Sequence, residues 1–190
     1  SRDHLDYHKS FEDYLKSKMI LFNKLLNKSS KIIYDTDILQ SKILKSISIK
    51  KKLNPITIGK KNSDLKIINH KFIGNNQETK FTFKNYTYSF KIGLIGRIQI
   101  KNLIMAIIAA NNSNLPLKKI IKSINKIKPV NGRLEKIGNI KNNSKVILDY
   151  AHTPDALKTC LANLREQFKL SKVSIVFGCG GERDKPKRQI

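Results

Sequence analysis

The sequence has two cysteines, no tryptophan, few acids and no long apolar run. Cys160 and Cys179 fall in neither a C-x-x-C nor a His-spaced pattern, which excludes a disulfide framework and a structural zinc site and fits a reducing cytosol. The longest continuous apolar stretch, Leu103 to Ala110, is far short of the roughly 20 residues that a membrane-spanning helix needs. The first residues, SRDHLDYH, are polar and charged with no initiator Met, so no signal peptide is expected and the chain is expected to begin within a longer protein. Asp+Glu number 14 against 38 Lys+Arg, a formal charge of +24. Such an excess raises a nucleic acid or an anionic membrane as partner. Here it is mostly lysine, spread from end to end among abundant Ile and Asn, as an AT-rich genome produces, and no strip of aromatic and basic residues accompanies it. A solvated basic surface explains it more simply, and no specific nucleic acid and no membrane insertion are expected.

A hydrophobic share of 39% is enough for a core. Ser10 and Asp13 resemble a capping box, and Phe11, Tyr14, Leu15, Lys18, Met19, Phe22 and Leu25 recur at helical spacing, predicting a helix from Ser10 to about Asn27. Lys31 to Tyr34 suits a strand and Asp37 to Ile47 a helix. Strict alternation from Lys80 to Ile92 around Lys84-Asn85 predicts a β-hairpin or meander, and two helices follow, Ile100 to Asn111 and Leu117 to Ile127 behind Pro116. After Pro129 a Gly132 turn and an Asn-rich stretch, Asn139 to Ser144, suggest a hinge or linker and the start of a second domain. Its opening reads as strand Lys145 to Tyr150, helix Pro154 to Phe168 and strand Lys172 to Phe177, the β-α-β order of a parallel sheet. One such unit cannot close a core, so this second domain is expected to be incomplete.

Four segments carry more than patterning: SRDHLDYH at Ser1 to His8 with Lys18 beyond it, GRLE at Gly132 to Glu135, DYAHTPDAL at Asp149 to Leu157, and GCGGERDKPKR at Gly178 to Arg188. In this order and spacing they resemble the Mur ligases over nearly the whole chain, least between about Asp35 and Phe90. The third and fourth are most similar to the branch that joins diaminopimelate or lysine to a UDP-N-acetylmuramoyl dipeptide. The resemblance implies an α/β fold: the second half of a central ATPase domain with a mixed sheet and helices, residues 1–138, then the start of a Rossmann-like C-terminal domain, residues 139–190. It implies a cytoplasmic, monomeric enzyme of peptidoglycan precursor synthesis. In that chemistry a substrate carboxylate attacks the γ-phosphate of ATP to give an acyl phosphate, which the incoming amine then attacks.

The cofactors so implied are ATP, Mg²⁺ and a carbamylated lysine. His4 matches the family's metal-binding histidine, and Lys18 matches the lysine whose carbamate turns a mobile cation into an anion able to help hold a metal. Asn102, Arg133, Asp149 and His152 match residues around the nucleotide, where a carboxylate accepts from ribose hydroxyls and a guanidinium offers donors and a stacking plane. The lesser alternative for Arg133 and Asp149 is a salt-bridged hinge pair. Gln99 and the YDTD segment, Tyr34 to Asp37, depart from the family pattern and receive no role. His8 has no clear chemical part, and His70 reads as structural. The GCGG turn could form an amide nest or merely a tight turn, and Lys185, Lys187 and Arg188 could face a cleft or add to the basic surface. No G-x-x-x-x-G-K-[ST] phosphate loop occurs in these residues, so this piece alone is expected to be inert. A folylpolyglutamate synthase-like ligase and a basic nucleic-acid-binding module remain the alternatives.

Overall fold

The structure is a computed structural model that describes residues 8–60 and 62–178. The chain falls into two compact units, one of Met19–Leu94 with Ile98–Lys128, the other drawn from residues up to Lys18, from Ile95–Arg97 and from Pro129 onward.

The first unit is built on a five-stranded sheet in the order β1 (Lys31–Asp35), β2 (Asn54–Gly59), β3 (Leu65–Ile73), β4 (Asn76–Phe83), β5 (Tyr86–Ile92). Strands β1 and β2 are parallel and joined through helix α2 (Ser41–Lys51), whereas β3, β4 and β5 pair antiparallel. β2 and β3 also pair in parallel, but only at Ile58↔Leu65 and Gly59↔Lys66. The end of one strand meets the start of the next, so no long return crossover is needed. Lys84 and Asn85 turn the β4–β5 hairpin with φ of +50° and +64°, the left-handed pair of a type I′ turn whose twist matches that of the strands.

Helix α3 (Arg97–Asn112) covers this sheet because Ile100, Leu103, Ile104, Ile107 and Ile108 recur at the three- and four-residue spacing of one helical face. They pack with Ile58, Leu65, Phe81, Phe83, Phe90 and Ile92 of the strands and with Leu117 of α4 (Leu117–Ser123). A second cluster joins Ile32 and Tyr34 of β1 to Leu44 and Ile47 of α2 and to Leu53, flanked by Met19, Phe22 and Leu26. Gln77 is fully buried in β4; its amide donates to the Leu94 carbonyl at 2.7 Å and its oxygen accepts from His70 Nε2 at 2.7 Å. His70 thus has a structural partner.

The other unit holds a hairpin of β6 (Glu135–Ile140) and β7 (Ser144–Leu148), followed by α5 (Pro154–Gln167). Thr153 caps α5 by accepting from the Ala156 amide at 3.2 Å, with proline at the first turn where no N–H is needed. Gln167 at its far end accepts from the Gly96 N–H at 2.9 Å, and Glu166 pairs with Arg97 at 2.7 Å. Gly96 sits at φ +83°, and a Cβ there would lie 2.7 Å from Leu134 Cδ1 and 3.0 Å from Asn163 Oδ1. Gly96→Ala is therefore expected to cost about 2 to 4 kcal/mol of stability, from the left-handed backbone and the overpacking together. A urea melt of the full-length variant checks this, and an unshifted midpoint contradicts it.

Several sequence expectations are corrected. The first helix runs nearly to its expected end, but only α1 (Phe11–Ile20) is α-helical; Leu21–Leu25 form a π-helical turn, where the Leu26 N–H reaches back to the Leu21 carbonyl. The helix expected from Asp37 begins only at Ser41, because the Asp35 carboxylate takes the Asp37 N–H at 2.8 Å and holds a turn there. The Asn-rich stretch is not a linker: Asn142 and Asn143, at φ +59° and +57°, turn the β6–β7 hairpin. Residues 172–177 form no strand, and β7 pairs antiparallel with β6 rather than in parallel with them. Among the described residues no neighbouring strand takes up their backbone hydrogen bonds, and Val176 and Phe177 stand exposed.

Candidate functional site

The GRLE turn and the DYAH segment are fastened to each other in one unit. Asp149 follows β7, and its two oxygens accept from different backbone amides, Oδ2 from Leu134 and Oδ1 from Ala151, each at 2.9 Å. The Tyr150 N–H donates to the Gly132 carbonyl at 2.8 Å, and the Gly132 N–H donates to the Glu135 carboxylate at 2.7 Å. Gly132 and Leu134 take φ of +67° and +48°. Leucine resists that conformation, and the Asp149 bond together with burial of its side chain holds it there. Asp149, read from sequence as a ribose acceptor, is thus first the clip that shapes the turn; a carboxylate has about four lone-pair sites, so two backbone bonds leave acceptor capacity.

Arg133, at the middle of the clipped turn, lays its guanidinium 5.4 Å from the Tyr150 ring centroid. Tyr150 is 65% exposed and meets the His152 ring edge-on at 5.0 Å. His152 Nδ1–H donates to the Tyr150 carbonyl at 3.0 Å, which fixes the ring's orientation. Guanidinium, phenol and imidazole form a continuous exposed layer of cationic and aromatic surface, chemistry suited to a flat heterocycle or an anion. Tyr150 lies inside the DYAH segment between Asp149 and His152, but the sequence does not mark it, because its part in this layer comes from contacts made on folding.

Cys160 on α5 lies close enough for the Asp149 charge to act on it. Burial first, and that charge second, push its thiol up to about 11. The thiolate is thus scarce at neutral pH, and Cys160 is not poised as a nucleophile.

Lys18 occupies the last turn of α1, exposed, with its ammonium 4.9 Å over the Tyr14 ring. Tyr14 also touches His8, whose Nδ1 is 3.4 Å from Asp13 Oδ2, while the Asp13 N–H donates to Ser10 Oγ at 3.1 Å in the expected cap. His4 lies outside the described residues, as do Cys179, most of the GCGG turn, Lys185, Lys187 and Arg188. Among the described residues no group of three His, Cys, Asp or Glu side chains could hold a metal ion. Nor, among them, is any helix long and apolar enough to cross a membrane.

Asn102 lies on α3, exposed, in the unit that carries the five-stranded sheet. Beside it the structure reveals what the sequence did not. Lys101 Nζ is 2.6 Å from Asp35 Oδ2 and 3.2 Å from Asp37 Oδ2, at the carboxyl end of β1. The YDTD segment, given no role from sequence, is one side of this ion cluster. The described cleft of about 530 Å³ lies elsewhere on that unit, lined by Pro55, Asp64, Lys66, Phe83 and Lys84 among others, and contains none of the residues selected from sequence.

Comparison with known proteins accounts for these segments. The Mur ligase middle domain matches residues 1–110, and the Mur ligase glutamate ligase domain matches residues 132–190. A UDP-N-acetylmuramoyl-L-alanyl-D-glutamate--2,6-diaminopimelate ligase of Rickettsia montanensis is 39% identical over 192 residues, covering 100% of this chain and 39% of the relative. The chain thus spans about two fifths of the length of the curated relatives it matches. A solved structure of a ligase with that same name superposes with a TM-score of 0.70 at 28% identity, over 99% of this chain and 38% of the other. Folylpolyglutamate synthetase from Lactobacillus casei shares the fold, with a TM-score of 0.62 at 17% identity over 78% of this chain and 38% of its own. With the middle domain matched over more than half its length and the following domain over most of the rest, this chain belongs to the Mur ligase family.

Proposed function

We propose that the protein containing this chain is an ATP-dependent ligase that adds a diamino acid, diaminopimelate or lysine, to a UDP-N-acetylmuramoyl-L-alanyl-D-glutamate acceptor during peptidoglycan precursor synthesis. The observation that carries this reading is the 39% identity, sustained over the whole chain, to a ligase named for that reaction. The reading takes the enzyme to act in the cytoplasm as a monomer, with residues 1–138 in its central domain and residues from 139 onward in its C-terminal one.

ATP supplies the phosphoryl group that activates the acceptor carboxylate. The residues of this chain bind and orient. Arg133 brings a rigid guanidinium, backed by Tyr150, whose planar face and donors suit a nucleotide. Asp149 holds the Arg133 turn in shape, and His152 extends the same surface. Asn102 offers an amide that both donates and accepts, the pattern that an adenine edge requires. Lys18 is exposed and therefore accessible to CO₂, and its carbamate, with His4, would help hold Mg²⁺.

Arg133→Ala in the full-length protein is expected to raise the KM for ATP roughly ten- to a hundredfold, the equivalent of about 1.5 to 3 kcal/mol for one charge-assisted contact. The KM for the UDP-sugar should stay near its parent value; equal increases in both contradict the assignment. The reaction itself is tested by ADP release from full-length protein, expected only with ATP, acceptor and diamino acid all present. Release that ignores the acceptor or the amine would overturn the ligase reading.

A further inference from the structure

The ion cluster at the carboxyl end of β1 reaches further than a surface salt bridge. Lys101 is the only residue between the buried Ile100 and the exposed Asn102, and its ammonium is shared by Asp35 at 2.6 Å and Asp37 at 3.2 Å. The second oxygen of each acid is also committed: Asp35 Oδ1 takes the Asp37 N–H at 2.8 Å, and Asp37 Oδ1 takes the Lys60 N–H at 3.3 Å just past β2. One side chain of α3 is therefore tied to the ends of two adjacent parallel strands, the edge where open α/β sheets place their ligands.

The apolar face of α3 fixes which side of the helix meets the sheet. An ammonium bonded to two carboxylates is directional, and it acts one residue from Asn102, about 100° around the same turn. We propose that Lys101, clamped by Asp35 and Asp37, is a positioning residue that sets the orientation of Asn102 toward the nucleotide base, an inference that rests on the ATP-dependent reading above. Lys101 and Asp37 stay ionised near neutral pH. Burial opposes the charge on Lys101, but the hydrogen bonds and charges of Asp35 and Asp37 outweigh it and raise its pKa. Burial likewise opposes the charge on Asp37, and Lys101 with the Lys60 amide more than offsets it. Nothing in the sequence announces the clamp, since its partners lie 66 and 64 residues from Lys101.

The test uses the full-length protein with Lys101→Met, Asn102→Ala and the two combined. Lys101→Met is expected to raise the KM for ATP about tenfold, as a displaced binding group does, while the KM for the acceptor and for the amine stays within about twofold. If Lys101 acts through Asn102, the double variant is no worse than Asn102→Ala alone, because sites that act as one unit are not additive. Lys101→Arg should restore most of the ATP affinity. A purely structural clamp would lower the melting temperature and leave the KM for ATP alone, and that result, or losses that multiply in the double variant, overturns the proposal. Should Lys101→Met fail to fold, Asp37→Asn, which removes the charge at the 3.2 Å contact while leaving the shorter Asp35 contact in place, is read against the same outcomes. A parent protein without substrate-dependent ADP release overturns the ligase reading itself, whereas an active parent with an unshifted KM in these variants overturns this inference alone.

Discussion

Lys18→Ala in the full-length protein is expected to remove most ligase activity, roughly a hundredfold or more, the scale on which loss of a group that stabilises developing charge is felt. The fold should hardly notice. Lys18 is exposed on the last turn of α1, and its ammonium, 4.9 Å over Tyr14, contributes about 0.5 to 1 kcal/mol at such a site. An unmodified ammonium there would repel a metal, so the activity attributed to Lys18 depends on its becoming a carbamate. Three further results follow from that. Lys18→Arg should fare no better than alanine, because a guanidinium keeps its charge and does not form the carbamate. Acetate or formate should restore part of the rate by supplying the missing anion. Protein equilibrated with carbon-13 bicarbonate should show a carbamate carbon resonance that Lys18→Ala lacks. Near-normal turnover of Lys18→Ala at saturating ATP and Mg²⁺ removes Lys18 from the site and weakens His4 with it.

Asp149→Ala is expected to lower stability by about 3 to 5 kcal/mol, near the upper end for a single substitution. Two backbone donors, the N–H groups of Leu134 and Ala151, lose a charged acceptor, and Leu134 loses what holds its left-handed backbone. Asp149→Asn should fall between, since its amide oxygen can serve one donor while its NH₂ group faces the other. Chemical denaturation of the full-length protein measures this as a lower midpoint at unchanged slope. A variant as stable as the parent, with only its KM for ATP raised, would return Asp149 to the simpler role of ribose contact read from the sequence.

Where local chemistry decides the structure, it was legible in the chain. Lys84-Asn85 turns a hairpin at the predicted place, and the Ile-rich stripe of α3 announces its buried face. β2 and β3 went unread for definite reasons. β2 carries Pro55, which argues against a strand, and β3 contains a register shift between Ile67 and Asn69 that puts Ile68 out of phase and breaks the two-residue alternation. The segment Lys172 to Phe177, KVSIVF, suits a strand in sequence, but periodicity cannot tell whether a partner strand is at hand. The site divides the same way. Arg133, Asp149 and His152 stood out because their segments are contiguous, and the structure joins those segments through the Asp149 clip. Tyr150, and Lys101 with Asp35 and Asp37, act through contacts that only the folded chain creates.

The acyl phosphate at the centre of this account can be followed by its oxygen. Full-length protein is supplied with ATP, the diamino acid and a UDP-muramoyl dipeptide whose acceptor carboxylate carries oxygen-18, and the released phosphate is examined by phosphorus-31 NMR or mass spectrometry. If a carboxylate oxygen attacks the γ-phosphorus and the amine then displaces phosphate at the acyl carbon, one labelled oxygen leaves in each phosphate for each amide formed. Unlabelled phosphate released alongside the amide, or label recovered in AMP, would contradict the proposed ligase chemistry.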